Sequence, residues 1–233
     1  MLELRAIDSF YGEAHILHGV SLEVAEGEVL ALVGRNGAGK TTTLKSAMGL
    51  VRPRRGTVHF AGQDITGLAP WRTARLGLGY VPEERRIFKD LTVAENLEVG
   101  RKAADDASVS WSEERLYALF PNLAERRAQK GGRLSGGEQQ MLSLARTLMG
   151  NPSMLLLDEP SEGIAPVIVE AMAEALLALK RGGLAVLLSE QNLGFARMIA
   201  DRVVLLETGT VRFDGPFSRI DSDPDIAARY LAV

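Results

Sequence analysis

Cysteine is absent from the 233 residues. Its absence excludes disulfides, thiol catalysis and cysteine-ligated metal, and suits a reducing compartment. Histidine is scarce. His15, His18 and His59 all fall early in the chain and lack metal-ligand spacing, so each is read as structural or superficial. Long hydrophobic runs are missing too. Met154 to Leu157 and Leu184 to Leu188 fall far short of the about 20 apolar residues a membrane-spanning helix needs. The first residues, Met1 to Arg5, have no signal-peptide character. The chain is therefore expected to be soluble, with any membrane role supplied by a partner. There is no excess of one charge. A net charge of −3 gives no steering toward nucleic acid or an anionic membrane, so no nucleic-acid partner is expected. What remains is 46% hydrophobic and 24% charged, enough for one good core with a subdomain.

The chain is organised around Gly34-Arg35-Asn36-Gly37-Ala38-Gly39-Lys40-Thr41-Thr42. This fits the phosphate-binding pattern G-x-x-x-x-G-K-[ST]. The glycines let successive N–H groups turn inward as a nest for phosphate oxygens. Lys40 can reach the β- and γ-phosphates, and the Thr41 hydroxyl can ligate Mg²⁺. Glu28 to Val33 reads as a buried strand and Lys40 to Met48 as a helix stopped by Gly49, which puts phosphates at a helix N-terminus.

Leu2 to Ile7, Val20 to Val24 and Thr57 to Phe60 read as an antiparallel patch. Trp71 to Leu76 reads as a short helix and Gly79 to Pro82 as a strand. From about Leu91 to Gly150 the pattern turns helical, with Val93–Lys102, Ser112–Arg127 and Gly137–Met149 as helices and Ala103–Ser110 as an exposed loop. Three helices without an intervening strand suggest a helical insertion, 91–149, into a nucleotide-binding core made of 1–90 and 150–233. Beyond Gly150 strand and helix alternate: Met154–Leu157, Pro166–Lys180, Leu184–Leu188, Asn192–Ala200 and Val203–Leu206. That alternation implies a parallel sheet with crossover helices. Val211 to Phe213 pairs back, and a terminal helix is expected after Pro224.

Two further stretches carry chemistry. Leu155-Leu156-Leu157-Asp158-Glu159 is an apolar strand ending in two acids. Asp158 can hold Mg²⁺ and Glu159 can polarise an attacking water as general base. Alone it reads better as an ordinary strand end followed by a solvated turn; the phosphate loop tips it to the catalytic reading. Leu134-Ser135-Gly136-Gly137-Glu138-Gln139-Gln140 opens an amphipathic helix whose apolar face is Met141, Leu144, Ala145, Leu148 and Met149. It is either a serine N-cap with flexible glycines or a second phosphate cradle. Two chains facing head to tail would explain two cradles.

With these three stretches the chain resembles the ATP-binding cassette subunit of an ABC transporter over essentially its whole length. The resemblance implies an α/β fold of the P-loop NTPase type, with a parallel-sheet core, an antiparallel β subdomain and a helical subdomain. It implies ATP and Mg²⁺ as ligands. It also implies two cassettes that sandwich ATP, so that Ser135, Gly136 and Gly137 serve the nucleotide held by Gly34, Asn36, Gly37, Ala38, Gly39, Lys40, Thr41 and Thr42 of the facing chain. Tyr11 matches the aromatic that stacks on adenine, although a buried core tyrosine is the competing reading. The implied partners are a second cassette, identical or different, two membrane permease subunits and, indirectly, a solute-binding protein. The implied place is the cytoplasmic face of a bacterial inner membrane. A nucleotide-gated module with very slow hydrolysis, a non-transport cassette of DNA repair or translation, and a P-loop kinase are weaker alternatives.

Three positions depart from the common pattern. Glu83 stands where the family usually has a glutamine that contacts Mg²⁺ and the attacking water. Gln191 stands in place of the switch histidine, and Ala165 in place of an aspartate. With Gly163-Ile164-Ala165-Pro166 and Glu190-Gln191-Asn192, these departures are similar to the second ATP-binding subunit of bacterial branched-chain amino-acid importers. Subunits of urea or short-chain amide importers look much alike. This reading makes the two central residues separable. Lys40→Ala is expected to abolish ATP binding, whereas Glu159→Gln binds ATP but turns over at least about 100-fold more slowly; equilibrium binding and steady-state hydrolysis on the same preparations check both.

Overall fold

The computed structural model describes residues 1–102 and 110–222. It opens with a long antiparallel hairpin of β1 (Leu2–Tyr11) and β2 (Ala14–Val24). Both strands run beyond their expected limits. The register shifts between Leu4 and Ile7, where Ala6 takes φ 46, so a bulge resets the alternation where a strand end was expected. β3 (Val29–Val33) follows, buried at every position, and leads through the phosphate loop into α1 (Lys40–Met48). Left-handed glycines bound that helix, Gly39 at φ 108 and Gly49 at φ 82.

β4 (Arg55–Phe60) returns to pair with β1, and the unexpected two-residue β5 (Gln63–Asp64) completes a sheet of order β2-β1-β4-β5. After α2 (Pro70–Arg75) and β6 (Leu78–Val81) come α3 (Val93–Gly100), α4 (Glu113–Leu119), α5 (Pro121–Glu125), a 3-10 turn at Gly131–Arg133 and α6 (Gly136–Leu148). The single helix expected over Ser112–Arg127 is two helices. Pro121 lacks an N–H and opens α5 at its first turn, while Phe120 leaves helical geometry at φ −127, ψ 73. The expected loop at Ala103 lies outside the described residues apart from its last member, Ser110. So does the helix expected after Pro224.

β7 (Met154–Asp158), α7 (Pro166–Arg181), β8 (Ala185–Glu190), α8 (Leu193–Ile199), β9 (Arg202–Glu207), β10 (Thr210–Gly215) and α9 (Phe217–Ser222) complete the described chain. The second sheet runs β10-β9-β3-β8-β7-β6, parallel except at β10. Its strands alternate between two cores. Leu30, Leu32, Leu156 and Leu187 face α1 and the antiparallel sheet, while Ala31, Val33, Leu155, Leu157 and Leu188 face α6, α7 and α8. The carboxyl ends of β3, β7 and β8 therefore meet at one edge.

The β9–β10 turn ties that edge to the hairpin. Gly209 donates its N–H to Ala38 O and accepts from His18 N–H, each at 2.8 Å. At φ 71, a Cβ on Gly209 would lie 1.9 Å from Ile16 O. Gly209→Ala is expected to cost about 2–3 kcal/mol of stability. Urea unfolding of the two proteins measures it.

Candidate functional site

The phosphate loop is held in place by its own lysine. Lys40 Nζ donates to Gly34 O at 2.8 Å and Arg35 O at 3.2 Å, and lies 3.1 Å from Glu159 Oε1. Lys40 is 3% exposed, so these three oxygens replace water around a buried charge. Gly34 must be glycine here, because a Cβ would lie 2.3 Å from Leu206 O.

Sheet order brings the distant pieces together. β8 lies between β3 and β7, so the residues after each strand are neighbours. Asp158 Oδ1 accepts from Thr41 Oγ1 at 2.9 Å and from Ser189 Oγ at 2.8 Å, and Oδ2 accepts from Tyr80 OH at 3.0 Å. Burial, then the neighbouring Asp158 charge, push the Tyr80 phenol up, so it remains a donor. Glu159 takes φ 45 and donates its N–H to Ser189 O. Its Oε2 accepts from Gln191 Nε2 at 2.9 Å, and the same amide reaches Asn36 Oδ1 at 2.6 Å. Burial works against the Glu159 charge, but the Gln191 hydrogen bond and Lys40 outweigh it and hold the carboxyl below its ordinary range. Glu162 moves the other way, raised by its hydrogen bond to Glu159 and by burial. Glu83 is raised by burial and by the charges of Glu159 and Asp158.

A cavity of about 290 Å³ opens beside these groups, lined by Tyr11, Ile16, Asn36, Gly37, the stretch from Gly39 to Thr42, Glu83 and Glu159. Tyr11 is half exposed, so its ring is not a core tyrosine. The adjacent Phe10 is already covered: His15 stacks on it at 4.0 Å and the Arg54 guanidinium lies 4.2 Å from its centroid. His18 packs on His15, giving those two histidines the structural role expected of them.

The donor set fits a nucleotide with Mg²⁺. No group of three or more His, Cys, Asp or Glu able to hold an ion occurs among the described residues. Mg²⁺ with a nucleotide takes few protein ligands and several phosphate oxygens, and Thr41 and Asp158 offer a hydroxyl and a carboxylate already in contact.

Ser135, Gly136 and Gly137 do not line this cavity. Ser135 caps α6: its Oγ accepts from Glu138 N–H, while Glu138 Oε2 takes the Ser135 N–H at 2.8 Å. The Ser135 hydroxyl proton and the first-turn N–H groups of Gly136 and Gly137 are left for another acceptor. Ala165 caps α7 without a side-chain bond, and Pro166 supplies the pre-set first turn.

Tyr80 and Ser189 are the functional contacts that sequence reasoning missed. Each stands on a neighbouring strand, so only the strand order reveals them.

Comparison with known proteins agrees with this geometry. The family model described as "ABC transporter" matches residues 17–162. The chain is 39% identical to the high-affinity branched-chain amino acid transport ATP-binding protein BraG of Pseudomonas aeruginosa, over 99% of both chains. It is 37% identical to a probable branched-chain amino acid transport ATP-binding protein, LivF, of Archaeoglobus fulgidus, over 92% of both. It is also 35% identical to the lipopolysaccharide export system ATP-binding protein LptB of Acidithiobacillus ferridurans, over 99% of this chain and 96% of that one. A solved ATP-binding subunit of an ABC transporter superposes with TM-score 0.84 at 29% identity, covering 97% of this chain and 94% of that one. A dimeric ATP-binding cassette in a post-hydrolysis state with ADP and Pi superposes at 0.80 and 25% identity, covering 93% and 98%. The chain belongs to the ABC transporter family of ATP-binding cassettes. It is an ATPase subunit of a transporter, and such subunits work as dimers on membrane permease subunits.

Gln191 keeps the Glu159–Asn36 link free of any ionisation near neutrality. Gln191→His preserves a donor and is expected to retain turnover. It is also expected to add an ionisation near pH about 6.5 to the rate profile. Comparison of the two pH–rate profiles reads this directly.

Proposed function

We propose that this chain is the ATP-hydrolysing motor of an importer for branched-chain or similar hydrophobic amino acids. The meeting of Lys40, Thr41 and Glu159 in one cavity, with Asp158 bonded to Thr41 and Gln191 to Glu159, carries the catalytic part. The identity to BraG, 39% against 35% to LptB over similar shares of the chain, supports the solute class over lipopolysaccharide export.

In this reading Tyr11 stacks on adenine. Gly34 and Asn36 to Thr42 cradle the phosphates, and Lys40 exchanges its carbonyl partners for phosphate oxygens. Thr41 and Asp158 would hold Mg²⁺, which would supply charge neutralisation at the phosphates, and Glu83, lining the same cavity, would contact the ion and the attacking water. Glu159 takes the proton of that water. Both its oxygens are engaged, by Lys40 and Gln191, so one contact must be released first. Gln191 is the mobile one, since it can turn to the γ-phosphate. Ser135, Gly136 and Gly137 complete the site of a facing cassette, identical to this chain or different from it. The helical unit 91–149 carries that surface.

The chain works peripherally, at the cytoplasmic face of the membrane, on permease subunits fed by a solute-binding protein. Among the described residues no helix is long and apolar enough to cross a membrane. A groove of about 490 Å³ between α2, β6, α3 and α6 suits a cytoplasmic segment of the permease. Leu50, Phe88 and Val99 expose apolar surface there, and Arg146 lies over Phe88. Tyr80 lines the same groove and donates to Asp158, so the occupant touches a side chain that holds the metal ligand.

Tagged protein drawn from solubilised native membranes is expected to bring a permease and a second cassette, identified by mass spectrometry. Recovery with lipopolysaccharide-export or amide-importer components would reassign the solute, and soluble partners alone would end the transport reading. Val99→Asp is expected to reduce permease recovery at least about tenfold while ATP binding is retained.

A further inference from the structure

Glu190 is a buried acid that none of the chemistry above uses. It ends β8, is 2% exposed, and has no cation within bonding distance among the described residues. Its two oxygens go to two different loops. Oε1 accepts the N–H of Ser161 at 3.0 Å, in the segment that follows β7 and Glu159. Oε2 accepts the N–H of Asn192 at 3.2 Å, the residue that caps α8 through a bond from Phe195 N–H. Between these anchors stands Gln191, with its amide on Glu159 and Asn36.

A short apolar or neutral side chain would fill this place without desolvating a charge. Burial pushes the carboxyl up, and the Ser161 side chain and the two N–H groups work against that rise. A carboxylate kept at such a cost has a geometric role. Its fork fixes the distance between the segment at Ser161 and the backbone on which Gln191 turns. The Ser161 segment is itself fixed to Glu159, whose carbonyl accepts from Glu162 N–H at 3.2 Å.

We propose that Glu190 is a positioning residue for hydrolysis, a brace that sets Gln191 against Glu159 by clamping the loops after β7 and β8 to each other. It touches neither nucleotide nor water. It acts through Gln191, so a displacement of the Ser161 segment reaches Gln191 without passing through the phosphate loop. The inference rests on the roles given to Glu159 and Gln191 above.

The test is a double-mutant cycle of Glu190→Ala and Gln191→Ala on the full chain with the partners it retains on purification, with Glu190→Gln as a milder variant. Steady-state ATP hydrolysis, KM for ATP and amide hydrogen exchange are measured on each. Glu190→Ala is expected to lower kcat tenfold or more with KM within twofold, and to speed exchange at Ser161 and Asn192. Glu190→Gln keeps one acceptor and is expected to fall between. On the Gln191→Ala background, Glu190→Ala is expected to add less than a twofold loss. Equal losses on both backgrounds, or kcat and KM moving together with a fall in Tm, would mean that Glu190 only supports the fold and would overturn the proposal. Unchanged exchange at Ser161 and Asn192 would overturn the brace whatever the turnover. Faster exchange with a wild type that does not hydrolyse ATP would instead fault the assigned chemistry, and with it the positioning role.

Discussion

A single buried ammonium organises the molecule. Lys40 is the only buried lysine or arginine among the described residues. Removing its charge from water is costly unless oxygens replace the lost hydration. The Gly34 and Arg35 carbonyls turn inward to do so, which fixes the loop, and Glu159 adds a counter-charge from another strand. The left-handed backbone of Glu159 and its N–H bond to Ser189 O then follow from the need to deliver that carboxylate. Parallel pairing of β7 with β8 and β8 with β3 makes the delivery geometrically simple, because all three strands end at one edge.

From this edge two connections run outward. One passes through Tyr80, whose hydroxyl holds Asp158 while its ring lines the apolar groove on the far side of β6. The other passes through Gln191 to Asn36 at the rim of the phosphate loop. A transporter ATPase must respond to both a membrane partner and a nucleotide. Each connection starts from a side chain that touches the acidic pair Asp158–Glu159.

Much of this was legible in the chain before any coordinates, and the reason is local spacing. The phosphate loop, the apolar strand ending at Asp158 and the capped helix at Ser135 each place their chemistry within a few consecutive residues. What was hidden depends on sequence-distant partners or on small backbone exceptions. The bulge at Ala6 prolongs a strand that alternation alone would end. Pro121 divides a helix whose periodicity looks continuous. Tyr80, Ser189 and Glu190 look like ordinary strand residues until β6, β7 and β8 are laid side by side. Ala165 stands in place of an aspartate, and the structure shows Pro166 supplying the start of α7 by stiffness in place of a hydrogen bond.

The strand order also governs how the protein comes into being. β3 is enclosed by β8 and β9, both made long after it. A growing chain that has exposed the phosphate loop still lacks the strands that flank β3, and with them Gln191, Ser189 and the Leu206 carbonyl packed on Gly34. The apolar Val29–Val33 segment must wait, unpaired on both sides, until β8 and β9 have left the ribosome. Nucleotide therefore cannot template early folding of this cassette, and its biogenesis depends on keeping one sticky strand out of trouble until its late neighbours arrive.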